Sequence, residues 1–101
     1  MPILHSVFFY YKDSTDPQQI ELQTEAIRNE LSRIEGVMHV MAGGPEGIDR
    51  DVVDNTYATS LHLVVADRDA LNTYQNHPIH QAFVARFKPN WSGIKVYDTR
   101  I

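Results

Sequence analysis

The segment Tyr74-Gln75-Asn76-His77-Pro78-Ile79-His80 brings a phenol and two of the chain's five histidines together around one proline. Pro78 disfavours the α region for His77 and itself suits the first position of a new helix, where its missing N–H costs nothing. One helix should therefore end near His77 and another begin at Pro78, with His80 in its first turn. Unpaired N–H groups and the positive dipole end at a helix start favour neutral imidazole over imidazolium. A neutral imidazole beside a phenol can accept or relay a proton near neutral pH. The chemistry this spacing points to is proton transfer near neutral pH.

Each of these groups also has a plain packing role. Tyr74 reads equally as a core aromatic closing a helix, and His77 as the capping residue before Pro78. His5, near the N-terminus, is either a hydrogen-bonded core histidine or the residue that orients an acid–base pair. Trp91 reads as a packing residue at a strand entrance or as part of a pocket. His39 and His62 have no evident partner and read as structural or surface groups.

Elements must hold these residues in place, and composition bounds what they build. With 101 residues, 43% of them apolar and 22% charged, the chain reads as one globular domain spanning residues 1–101. A domain of this size buries roughly 60–70% of its unfolded surface. A net charge of -4 without a Lys/Arg cluster argues against nucleic acid. The absence of cysteine rules out thiolate chemistry and suits a reducing cytoplasm, which is the expected location. Residues Met1 to Tyr11 are apolar but too short to span a bilayer, so no membrane partner is expected.

The pattern reads strand, helix, strand, strand, helix pair, strand. Ile3 to Tyr11 is rich in β-branched and aromatic residues. Asp16-Pro17 opens a helix carrying Ile20, Thr24, Ile27, Leu31 and Ile34 on one face, and Gly36 ends it. Val37 to Ala42 is a second strand, Gly43 to Thr56 a loop and Tyr57 to Ala66 a third strand. Asp67 caps a helix through Tyr74, and Pro78 to Phe87 forms the next. A turn over Pro89-Asn90-Trp91-Ser92-Gly93 leads to a last strand, Ile94 to Ile101. The order implies an α+β, ferredoxin-like fold, a four-stranded antiparallel sheet with helices on one face.

A sheet with one wet face alternates apolar and polar residues. The first strand instead places Ile3, Val7 and Phe9 on one parity and Leu4, Phe8 and Tyr10 on the other. Both faces need cover and the helices supply only one. A homodimer joined by sheet-to-sheet packing is the expected solution.

The run from Asp67 to Phe83, containing Tyr74…His77-Pro78-Ile79-His80, closely resembles the core motif of the stress-responsive dimeric α/β-barrel (Dabb) family. Leu4-His5-Ser6-Val7-Phe8-Phe9 resembles that family's first strand, Glu35-Gly36-Val37 its helix-to-strand corner and Val96-Tyr97-Asp98 its closing strand. The likeness spans the chain and implies a dimeric α/β barrel. It extends distantly to a plant member, olivetolic acid cyclase, which closes a polyketide ring by aldol condensation. Residue by residue, that resemblance implies catalytic roles for His80 and Tyr74 and pocket positions for His5, His77 and Trp91. The implied pocket wall is Val7, Phe9, Leu61, Ile94 and Val96, with no cofactor. The chain departs from the cyclase on the first helix, where Gln23, Thr24 and Ile27 replace an aromatic wall. A buried aromatic covers about 150–250 Å², so a smaller or more polar carbonyl ligand is expected here.

The acidic loop, residues 45–54, carries Glu46, Asp49, Asp51 and Asp54. It lacks the glycine and glutamate positions of a calcium loop and reads as solvated, with a lid over the cavity as the alternative. No metal is expected. Two function classes follow. One is a cofactor-independent lyase, cyclase or isomerase acting by His/Tyr proton transfer on a small carbonyl compound. The other is a non-catalytic module that binds a small ligand or acts through its dimer surface.

Overall fold

The computed structural model describes all residues, 1–101. Strands β1 (Ile3–Tyr11), β2 (Met38–Gly43), β3 (Thr59–Val65) and β4 (Trp91–Arg100) form one antiparallel sheet in the order β2-β3-β1-β4. Helices α1 (Gln18–Asn29), α2 (Arg68–Asn76) and α3 (Pro78–Phe87) cover one face. This is the four-stranded α+β, ferredoxin-like arrangement that the pattern implied.

The register shows why one parity of β1 is buried. His5, Val7 and Phe9 lie opposite Leu63, Leu61 and Thr59 of β3, and all six are buried under the helices. From above, α1 contributes Ala26 and Ile27, α2 contributes Leu71 and Tyr74, and α3 contributes Phe83 and Phe87. On the other side of β1, the same face continues as Ile94, Val96 and Asp98 of β4. Both Ile94 and Val96 remain about half exposed, so the core stops short of the β4 edge.

Local chemistry sets the element ends. The Asp16 carboxylate accepts the Gln18 N–H at 2.9 Å, and the Asp67 carboxylate accepts the Ala70 N–H at 2.9 Å, each satisfying an early helix donor. His77 is extended, with ψ 139°, and α3 starts at Pro78 as proline geometry requires.

Two expectations need correction. The first helix does not run unbroken to Ile34: α1 ends at Asn29 and a 3₁₀ turn covers Leu31–Arg33. The tighter turn brings i and i+3 into line, and Leu31 and Ile34 are both buried. Gly36, at φ +90°, then reverses the chain in a conformation that suits glycine. Trp91 belongs to β4 rather than to the preceding turn, because a shift of register between Tyr10 and Tyr11 pairs it with Tyr11. In β2, His39 has φ 53° within a register shift between Met38 and Met41, so this edge strand pairs irregularly.

The sheet face away from the helices carries the other parity. Phe8 packs edge-on against Tyr57, His62 and Tyr97, with ring centroids 5.0, 5.6 and 6.0 Å away. Met38, Met41 and Tyr97 are 41%, 55% and 57% exposed, far above what a covered face would allow. His62 bridges Ser6 and Ser60 within this surface, at 3.0 and 3.1 Å, and burial pushes its pKa down.

Candidate active site

A cavity of about 760 Å³ opens between α3 and the β1–β4 half of the sheet. That is ample for a drug-sized ligand. Its floor is Val7 and Phe9 of β1 with Leu61 of β3, its roof Phe83 and Val84 of α3, and its open side Trp91, Ile94 and Val96 of β4. His5 and His80 supply imidazoles to its wall. Eight of the expected positions therefore come together: His5, Val7, Phe9, Leu61, His80, Trp91, Ile94 and Val96.

His80 is held by its own helix junction. Its Nδ1–H donates to the Gln75 carbonyl at 2.9 Å, which leaves Nε2 as the unprotonated, unpartnered nitrogen. Burial holds its pKa below the ordinary 6.5; the Gln75 bond partly opposes this, and the charge of His5 adds to it. His80 is thus a neutral base with its lone pair available.

His5 is fixed differently. The Asp98 carboxylate lies 2.5 Å from His5 Nδ1, directly across the β1–β4 ladder, and accepts its N–H. His5 Nε2 has no protein partner. Asp98 is the residue that sequence reasoning missed. The signal was present in strand parity, since Ile94 and Val96 had been assigned to the pocket and Asp98 is the next residue on that face.

Two expected site residues do not line the cavity. His77 turns back on the helix it caps, its Nδ1 accepting the Ile79 N–H at 3.1 Å, so the imidazole is spent on the backbone. Tyr74 is 1% exposed and lies behind both imidazoles. Its ring centroid is 4.7 Å from that of His80 and 5.8 Å from that of His5. Its hydroxyl is buried without a hydrogen-bond partner, and burial raises its pKa.

The first helix is corrected too. Gln23, Thr24 and Ile27 do not form a polar wall. Ile27 is in the core, and the Thr24 hydroxyl bonds the Ile20 carbonyl and Thr59. Gln23 is fully buried, its Oε1 accepting from the Trp91 indole N–H at 2.8 Å and from the Tyr11 hydroxyl. Burial pushes Tyr11 up to about 12, so it stays a donor. Gln23 therefore holds Trp91 in place from behind rather than meeting a ligand. The 45–54 loop contributes no residue to the cavity, so it is not a lid in this conformation. Its Asp54 instead accepts from the Thr56 hydroxyl and N–H, at 2.5 and 2.8 Å, which lowers its pKa. No three histidines or acids gather closely enough to hold a metal ion.

A ferredoxin-like α+β domain with a half-apolar cavity and two imidazoles between helix and sheet is the class these features define. The chain belongs to the stress-responsive A/B barrel domain (Dabb) family, whose model matches residues 3–101. No curated protein sequence matches it. Among solved structures it is similar to a dimeric ferredoxin-like protein of unknown function from Thermobifida fusca, with TM-score 0.86 and 22% identity over 100% of this chain and 92% of that one. A Dabb family protein from Mesorhizobium loti aligns with TM-score 0.79 and 26% identity over 99% of this chain and 96% of that one. A hydroxynitrile lyase from Passiflora edulis aligns with TM-score 0.81 and 18% identity over 99% of this chain and 93% of that one. At the first and last of these identities the likeness is one of fold.

Proposed function

We propose that this protein is a cofactor-independent enzyme that transfers a proton next to a carbonyl group, a lyase, cyclase or isomerase acting in the α3–β4 cavity. The observation that carries this reading is His80: its Nδ1–H is committed to Gln75 and its Nε2 is left free at an apolar wall. In the proposed step Nε2 takes the proton from the carbon beside the carbonyl. His5, its Nδ1 edge anchored on the Asp98 carboxylate, is set to hold the developing enolate oxygen by a hydrogen bond from Nε2. Protonated His80 returns its proton to carbon or to a leaving group. Tyr74 acts as a positioning residue, its ring fixing both imidazoles from behind. The fold shared with a hydroxynitrile lyase is compatible with such chemistry.

The test is deuterium incorporation at the α-carbon of a β-keto thioester in D₂O, followed by NMR against the buffer rate. Exchange above background is expected, with kcat/KM falling on the acid side. Because His80 has its pKa lowered from 6.5, the base form is lost only as pH falls below that value, so the acid limb has its midpoint under 6.5. A rate equal to buffer across the pH range overturns the reading in favour of a non-catalytic ligand-binding module.

The assembly proposed for this chain is a homodimer through the open sheet face. Its support is the exposure of Met38, Met41 and Tyr97 around the Phe8 cluster, together with the dimeric state described for similar structures. Sedimentation should give twice the 11.6 kDa chain mass at micromolar concentration, and Tyr97→Glu should shift it toward monomer. A wild-type monomer there refutes the interface.

A further inference from the structure

The charged lining of the cavity is one-sided. Lys12, just beyond β1, and Lys88, just beyond α3, both line it, and no aspartate or glutamate does. In a chain with net charge -4 this is a local reversal of sign. The ion pairs in the molecule are His5–Asp98 and Arg86–Glu30, so neither lysine is neutralised by a carboxylate. Their placement is built in rather than incidental. The Lys12 N–H donates to the Asn90 carbonyl at 2.9 Å, and Lys12 Nζ donates to the Pro89 carbonyl at 2.9 Å. These bonds tie the end of β1 to the short turn that carries Lys88. One Nζ donor of Lys12 is used, and two remain.

The lysines are also set apart from the imidazoles. Lys88 follows His80 by eight positions along α3, which at about 1.5 Å per residue separates their backbones by roughly 12 Å. An anionic group held at Lys12 and Lys88 therefore lies several bonds from any carbonyl at His80, with the apolar floor of Val7, Phe9 and Leu61 between them.

We propose that the cavity takes a carboxylic acid whose reactive carbonyl lies about five to eight bonds from the carboxylate, with the carboxylate held at Lys12 and Lys88 and the carbonyl at His80. This substrate class rests on the proposed site, and it adds a second anchoring point to it. An uncharged ketone of the same length fits the apolar floor but leaves the lysines to water.

Calorimetric titration of the whole protein with 7-oxooctanoate, 2-octanone and 7-oxooctyl phosphate tests this. The first two differ only in a carboxylate replacing a terminal methyl. Exposed ion pairs are each worth up to about fivefold in affinity, so wild-type protein should prefer 7-oxooctanoate by about tenfold at low salt. Rising ionic strength should erode the preference. In a Lys12→Gln/Lys88→Gln double variant the ratio of the two affinities should fall to within about twofold. Equal wild-type affinity for the acid and the ketone overturns the proposal while leaving the cavity as a binding site. So does a preference that survives the double substitution. A strong preference for the phosphate over the carboxylate replaces the acid by a phosphorylated ligand. Failure of all three to bind sinks the cavity reading together with this one.

Discussion

His80→Ala will lower the rate of α-proton exchange by roughly 10²–10⁴-fold, the usual contribution of a positioned general base. The size follows from His80 acting as the base, its Nδ1–H committed to Gln75 and its Nε2 open to the cavity. His5 is engaged by Asp98, His77 caps α3, and Tyr74 is a buried phenol with a raised pKa. Folding should survive, because His80 is half-buried and its partner, the carbonyl of exposed Gln75, can turn to water; the stability cost is about 1 kcal/mol or less. His80→Gln sharpens the test. It retains a donor for the Gln75 carbonyl but no base, so activity should fall as far as in the alanine variant while the unfolding midpoint stays near wild type. A His80→Ala protein that keeps its rate within threefold would remove His80 from the chemistry.

How far the sequence carried this picture depended on whether a residue's neighbours are local. Pro78 fixed the α2–α3 junction because its ring constrains the residues beside it, and α3 spans Pro78–Phe87 as read. The double parity of β1 gave the two faces, and the parity of His5, Val7 and Phe9 gave the floor of the cavity, because alternation is a property of the strand itself. A remote partner is not legible in the local pattern. Asp98 is 93 positions from His5, and only the β1–β4 register places them side by side. Gln23 reads as a pocket residue because its position matches an aromatic wall in the plant cyclase that the sequence resembles. Yet with two donors to accept, from Trp91 and Tyr11, it is drawn under the sheet entrance instead. His77 and His80 look alike in sequence, three residues apart around a proline. One turn of backbone commits the first to a helix cap and leaves the second with a free nitrogen.

Tyr74 yields the sharpest separation between packing and chemistry. Its ring fills the space behind His5 and His80 and is 1% exposed, so Tyr74→Ala should open a large cavity and cost about 3–5 kcal/mol in denaturant unfolding. The imidazoles lose their common backing in that variant, and exchange activity should fall with the fold. Tyr74→Phe keeps the ring and deletes only the hydroxyl. That hydroxyl is buried with no partner, and an unsatisfied buried hydroxyl costs about 1–3 kcal/mol. Its removal should therefore raise stability by about 1 kcal/mol, an unusual sign for a core substitution. Because the hydroxyl is sealed from the cavity, the Phe variant should keep its exchange rate within about threefold. The two variants thus separate the role of the ring, which is to hold two imidazoles at fixed distances, from that of the oxygen. A hundredfold loss of rate in Tyr74→Phe, with stability unchanged or raised, would return the phenol to the proton-transfer step and require the ring to move when ligand binds.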